Sequence, residues 1–568
     1  MKYIYIVILW LLAITAWCIP AQPIQKTVKG PDGAPLTIVL HGDENYHFYT
    51  TLDGVPVIPD EVNDCWVLAP QLADSISTVW STRLHSRNAH RVIRAAAKRR
   101  STRSAQAIPT TQKKGLVLLV NFPDMYMKST STLTKFRQMF NQEGYSGNNS
   151  QGSVHDYFHD QSYGAFDLTF DVVGPVTASK EMAYYGGNDD AGEDMHPAQL
   201  VAEACQLARN NYDLTWSDYD WDGDGEIEQV YVIYAGYGEH AGAAPNTIWP
   251  HEWTLEDAQR YNDGDGPISI DGCTINTYAI SSELSGAVGS TMNSVGVACH
   301  EFSHCLGLPD FYSTNYSKSF GMGAWDIMSH GEYNGPNGRG ECPPPFTAYE
   351  RWFCGWFEPI VLKSDQAITE MPDLQDEPVA YLIRNEAYPS EYFLLENRQP
   401  NRWGTYVDKS TGMHGMLVCH VDEDEDAWRL NRVNTSSSHP RMTIIPANQT
   451  YGSWRSSEYN TSETQYRGQP FPGSQDVTVL DSLSHPQYAG TLFHDNTHGT
   501  RALPFTLSNI SESDGLISFQ FSIPGNQSLP DAIKMIRTEE KDKRSNSILF
   551  PVTSDIYITP DGKKVLIR

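Results

Sequence analysis

The apolar positions of this chain change their period as it runs, and the changes divide it into segments. After Lys2, Tyr3 to Trp17 form one apolar run that ends in small and turn-prone residues. From residue 22 to about 82 the pattern is short and strand-like, as in PLTIVLHG, YHFYTTLDG and VPVIP. Arg83, Arg87, Arg91, Arg94 and Lys98 then recur at three- and four-residue steps, a basic stripe down one helix face. GLVLLVNF and QVYVIYAGYG read as buried strands, FDLTFDVVG as a further strand, and SVHDYFHDQSYGAF as a helix ending near Gly164. QLVAEACQLARNN predicts a helix with Leu200, Ala204 and Leu207 on one face. This alternation continues to about Trp356 and predicts an α/β (α+β) domain. Beyond it, YFLLENR, GMLVCHVD, RMTIIPA, VTVLD and LISFQFSI predict a β-rich, sandwich-like module ending near Pro524. The tail from Gly525 is charged at first and then holds two short strand-like pieces.

The expected division is a signal peptide over 1–21, a pro-region with a basic cleavable linker over 22–105, a catalytic domain over 106–360, the β-rich module over 361–524 and a tail over 525–568. The leader has the charge, length and order of a secretory signal, and it is too short for a membrane span of about 20 apolar residues. Cys18 follows the bulky Trp17, a poor context for lipidation. The exposed basic run ending in KRR reads as a protease-sensitive junction. A hydrophobic content of 40% and an aromatic content of 11% suffice for several packed cores. A net charge of -28 argues against nucleic acid or an anionic membrane as the main partner. Cys65, Cys205, Cys273, Cys299, Cys305, Cys342, Cys354 and Cys419 show no C-x-x-C pairing, so a cysteine zinc site is not expected, although bridges are open to them outside the cell.

The chemistry concentrates in HEFSHCLGLPDFY, residues 300–312. His300 and His304 are one helical turn apart, so both imidazoles can reach one metal ion, and Glu301 stands where a general base is needed. Gly307 can end the helix in a left-handed turn, Pro309 blocks its continuation, and Asp310 is then presented as a third zinc ligand. An alternative third ligand is Glu350 in FTAYERWF. Downstream, GMGAWDIMSHGEYNG places Met328 in a glycine-flanked turn, with His330 and Tyr333 as candidates to stabilise an oxyanion. A second cluster, DYDWDGDGEIEQ, offers a calcium loop: Asp220, Asp222, Asp224 and Glu228 by side chain, and Glu226 by its carbonyl. Tyr231 stands where an EF-hand would carry its last acid, so this is a DxDxDG loop of another kind.

With GSVHDYFHDQSYGAF, DYDWDGDGEIEQVYVIYAG, HEFSHCLGLPDFY, MGAWDIMSHG, EYFLLENR and GMLVCHVD, the chain resembles the immune inhibitor A family of secreted bacterial metallopeptidases. The resemblance implies a metzincin-like zinc-protease domain with Met328 as an apolar floor, a pro-region, and a β-rich part packed on the enzyme. The function expected is therefore a secreted zinc endopeptidase made as a zymogen, a monomer acting on proteins or peptides. Cys65 and Asp43 are both candidates for the latency residue. The competing expectation is a secreted or cell-surface adhesion protein on an inactive scaffold, against which the intact Glu301 speaks.

Overall fold

The computed structural model describes residues 17–22, 25–43, 46–60, 62–72, 111–189, 192–314, 321–384, 389–436, 439–449, 466–481, 483–484, 503, 505–523, 555–558 and 564–567. The apolar leader before Trp17 and the basic stripe from Arg83 to Lys98 lie outside them. The chain enters as β1 (Trp17–Cys18) and continues as β2 (Gln25–Lys29), β3 (Pro35–Asp43), β4 (Tyr46–Thr51), β5 (Pro56–Asp60) and β6 (Cys65–Leu68). Strands β2 to β6 pair in chain order as an antiparallel sheet, whereas β1 belongs elsewhere.

The central sheet is built from β7 (Thr111–Asn121), β8 (Phe166–Thr177), β9 (Val230–Tyr237), β10 (His251–Thr254) and β13 (Thr277–Leu284), with the hairpin β11 (Ile268–Ile270) and β12 (Cys273–Ile275) beside it. Its order is β1-β10-β13-β9-β7-β8. Strands β8, β7, β9 and β13 run parallel; the interior strands β7 and β9 read as continuous apolar runs, whereas the edge strand β8 alternates. β10 is antiparallel to β13, and β1 adds to it antiparallel at the edge. Side chains of β7 divide strictly by pleat. Val117 and Leu119 enter one core, Leu116, Leu118 and Val120 the other.

Helices cover both faces. α1 (Leu133–Asn141) and α2 (Val154–Gln161) pack on the first core, and α3 (Pro197–Asn211) packs on the second. Ser153 starts α2 with a capping box closed by Asp156. α4 (Gly296–His304) lies in the first core and is buried along its whole length, so it lacks the amphipathic stripe of a surface helix. α5 (Ala348–Phe353) and α6 (Glu425–Arg429) follow it in the chain.

The later part holds two larger sheets besides the small pair Tyr406–Val407 and Ser410–Thr411. One comprises Ile360–Val361, Tyr381–Arg384, Glu391–Arg398, Gly415–Asp422 and Met442–Ile444, the other Gln366–Met371, Thr506–Ser513 and Leu516–Ser522. Phe393, Leu395, Met416 and Val418 face the second sheet across a third core. Their neighbours Leu394, Leu417, Cys419 and Val421 point the other way and join the core of α2 and α4. The expected strand VTVLD does not form; Leu480 makes one isolated bridge to Leu507. The two tail pieces form a hairpin, Asp555–Ile558 with Lys564–Ile567. Cys65, Cys205, Cys273, Cys299, Cys342 and Cys419 are free thiols, and among the described residues no helix is long and apolar enough to cross a membrane.

Candidate active site

The site is set by α4 and the two loops that follow it. His300 and His304 are buried on one face of the helix, and their Nε2 atoms lie 3.2 Å apart. His300 Nδ1 donates to the Ile327 carbonyl at 2.8 Å, and His304 Nδ1 donates to the Leu308 carbonyl at 2.8 Å. A carbonyl can only accept, so each Nδ1 carries a proton, and in the neutral imidazole that a metal takes each Nε2 presents a lone pair. Two lone pairs aimed at each other at this distance repel unless a cation lies against both.

Gly307, at φ 88, ends the helix in the left-handed conformation expected of it, and the chain turns back to bring Asp310 beneath the histidines. Asp310 is fully buried, with Oδ1 3.3 Å from His300 Nε2 and 3.7 Å from His304 Nε2. The three potential ligand atoms lie within 4.8 Å of one another. Asp310 Oδ1 and both carboxylate oxygens of Glu301 are buried and accept no hydrogen bond. Lone pairs from two imidazoles and one carboxylate, with unbonded acid oxygens beside them, fit a zinc ion and leave room for a fourth group.

The electrostatics point the same way. Burial pulls the His300 pKa down, but Glu332, Asp310 and Glu301 carry it well above the ordinary value. His304 is held neutral, its pKa pushed down to about 3 by burial. Burial drives the Glu301 carboxyl well up, against the pull of His300 and with Glu252 of β10 adding to the rise. Glu332, whose pKa burial raises to about 8, has an oxygen 3.9 Å from His300 Nδ1.

Met328 is fully buried behind the ligands, and its carbonyl accepts from Phe311 N–H at 2.6 Å, directly after Asp310. Asp326 Oδ1 accepts from Met328 N–H at 2.7 Å and shapes that turn. Tyr333 packs with Val297 and Ile19, and Val297 lies one turn ahead of Glu301 on the same helix face. His330 neighbours Tyr312, and burial lowers its pKa to about 4. Glu350 is not among the cluster; it closes the capping box of α5, accepting from Thr347 N–H and Oγ1. Neither Cys65 nor Asp43 joins the cluster.

Segment 17–22, which spans the expected end of the signal peptide, lies against the sheet edge and Tyr333. β1 pairs with β10, the Ile19 carbonyl accepts from Trp249 Nε1 at 3.0 Å, and the Pro20 carbonyl accepts from the Tyr333 hydroxyl at 2.7 Å. Gln22 Nε2 donates to the Gly338 carbonyl at 2.6 Å. Nothing local in the sequence signals this; the leader's composition hides it.

In the acidic loop, Asp220, Asp222 and Asp224 bring carboxylate oxygens within 4.8 Å of one another. Asp220 accepts from Gly223 and Gly225 N–H, Asp224 from Glu226 N–H, and Ile227 is buried. Glu228 turns one oxygen to the Trp221 N–H at 2.5 Å and is not grouped with the three.

An α/β sheet carrying a buried cluster of two histidines and one aspartate, with a buried glutamate beside it, is the arrangement of a metallopeptidase domain. Residues 105–355 match the family described as immune inhibitor A peptidase M6, catalytic domain. The chain is 30% identical over 279 residues to the pre-pro-metalloprotease PrtV of Vibrio cholerae, covering 42% of this chain and 29% of that one. It is 29% identical over 220 residues to immune inhibitor A of Bacillus thuringiensis, covering 35% and 31%. The matches span less than a third of either relative.

Proposed function

We propose that this chain is a secreted zinc endopeptidase made as a zymogen, with a metzincin-like catalytic domain. His300, His304 and Asp310 hold the metal, and Glu301 is the general base. The observation that carries this reading is the pair of Nε2 lone pairs converging at 3.2 Å beside unbonded Asp310 and Glu301 oxygens. Zinc, when bound, supplies Lewis-acid polarisation of the scissile carbonyl and of the attacking water. Glu301 takes a proton from that water as its oxygen attacks, then passes it to the amide nitrogen, so the C–N bond breaks with a neutral amine leaving. Tyr333, through its hydroxyl, and neutral His330, through its N–H, are the donors for the negative charge that develops on the carbonyl oxygen.

Latency follows from segment 17–22. Its backbone pairs with the sheet edge as an extended peptide would, and it holds the Tyr333 hydroxyl. Retaining that segment requires signal cleavage ahead of Trp17 rather than near Ala21, which N-terminal sequencing of the exported protein checks. The secreted class of its relatives and the signal-like leader support export. For the acidic loop we propose calcium, held by Asp220, Asp222, Asp224 and the Glu226 carbonyl, with a structural role. Terbium luminescence sensitised by Trp221 tests it; no signal above that of an Asp222→Ala, Asp224→Ala variant overturns it.

The enzymatic reading is tested by hydrolysis of casein with and without chelator, beside Glu301→Ala. Chelator and substitution should each abolish it. Hydrolysis insensitive to both overturns the zinc mechanism, and a folded, zinc-loaded, processed chain that cleaves nothing favours the adhesion alternative.

A further inference from the structure

Asp310 is gripped from outside the family-matched region. Asn431 lies 121 residues further along, in the turn after α6, and is buried. Its Nδ2 donates to Asp310 Oδ2 at 2.6 Å, and its Oδ1 accepts from Asp310 N–H at 2.8 Å. One side-chain amide thus meets backbone and carboxylate of the same residue. Asn431 stands at φ 48, a left-handed conformation that asparagine tolerates, and the Thr314 hydroxyl donates to its carbonyl at 2.8 Å. Three residues on, Asn434 Nδ2 donates to the Phe311 carbonyl at 2.7 Å and to the Met442 carbonyl at 2.7 Å, tying the same loop down without touching the carboxylate.

The two Asp310 oxygens therefore differ. Oδ2 is satisfied by the amide, and Oδ1 accepts no hydrogen bond and faces both imidazoles. An amide is suited to this task. It donates to the carboxylate without neutralising it, so the full negative charge stays available on the face toward the metal, and the carboxylate cannot rotate to spread both oxygens. An aspartate at 431 would set a carboxylate against a carboxylate.

We propose that Asn431 is the positioning residue of the metal centre: it fixes Asp310 to present Oδ1 alone, so that the third ligand is completed by the segment beyond residue 355. This rests on the metal-centre reading above, and the test separates the two. Zinc affinity is measured on the full chain by competition with a chromophoric chelator, with melting curves of the zinc-free proteins alongside. The parent should bind one zinc. Asn431→Ala and Asn431→Asp should each lose about 10- to 100-fold in affinity. Asn434→Ala, which removes a neighbouring anchor of the loop, should lower the melting temperature and leave zinc affinity within about threefold of the parent. Should Asn431→Ala not fold, Asn431→Asp decides, because it keeps the acceptor for Asp310 N–H and replaces the donor to Oδ2 with a charged oxygen. Variants at 431 that bind zinc as the parent does overturn the proposal, and so does an equal loss in Asn434→Ala, which would mean general anchoring. A parent that binds no zinc overturns the metal centre itself, and the role of Asn431 with it.

Discussion

Glutamine in place of Glu301 keeps the shape of the side chain and removes its basicity. Because neither carboxylate oxygen accepts a hydrogen bond in the folded chain, the exchange breaks no structural contact. We expect kcat to fall by about 10²- to 10⁴-fold, with zinc content and melting temperature unchanged; zinc analysis beside a kinetic assay checks both. At this scale the local chemistry was legible. His300, Glu301, His304 and Asp310 lie within eleven residues, and helical spacing plus Gly307 and Pro309 is enough to converge them. Asn431 and Glu332 were not legible as site residues. Asn431 reaches Asp310 through the tertiary fold, and nothing in WRLNRVN marks it. Glu332 sits in the expected turn, but its approach to His300 depends on how that turn packs.

The elements hold these residues through glycines at tight places. Gly307 at φ 88 would cost an alanine about 1–2 kcal/mol and would displace Asp310 with it. A lower melting temperature and weaker zinc binding in Gly307→Ala are the expected pair of effects. At the entrance of α4, a Cβ on Gly296 would stand 1.9 Å from the Glu332 carbonyl oxygen and 2.8 Å from Gly340 Cα. The helix and the His330–Tyr333 turn must part to admit it, so Gly296→Ala should destabilise by about 1–3 kcal/mol and lose activity, read by melting and casein hydrolysis. Strands and helices of the central sheet were legible because burial on one or both faces imposes a period. VTVLD makes only an isolated bridge because apolar content alone does not set how a segment pairs, and the docking of segment 17–22 was not legible because a signal-like composition says nothing of where its end lies.

For the whole molecule, the change of pattern near Trp356 marks a change of architecture but not a separation of cores. Leu394, Leu417, Cys419 and Val421 share one core with Phe302 and Met328. Losing even one buried leucine costs about 2–5 kcal/mol, against a net stability of about 5–15 kcal/mol. Residues 106–360 expressed alone should therefore show no cooperative melting transition, and a well-folded fragment would contradict the shared core. Removing residues up to Gln22 should leave the fold intact and raise the rate of peptide cleavage, because the sheet edge at β10 and the Tyr333 hydroxyl are freed. An unchanged rate would mean that the segment is not the block.

The central claim is that the converging His300, His304 and Asp310 hold a zinc ion that Glu301 serves. Its most direct test is casein hydrolysis by the processed chain after chelation and again after one equivalent of zinc is restored, run in parallel on the parent and on Glu301→Gln. The parent should lose activity and regain it, and the glutamine variant should take up the same zinc and remain inactive. Hydrolysis that survives chelation, or a zinc-loaded Glu301→Gln protein as active as the parent, would contradict it.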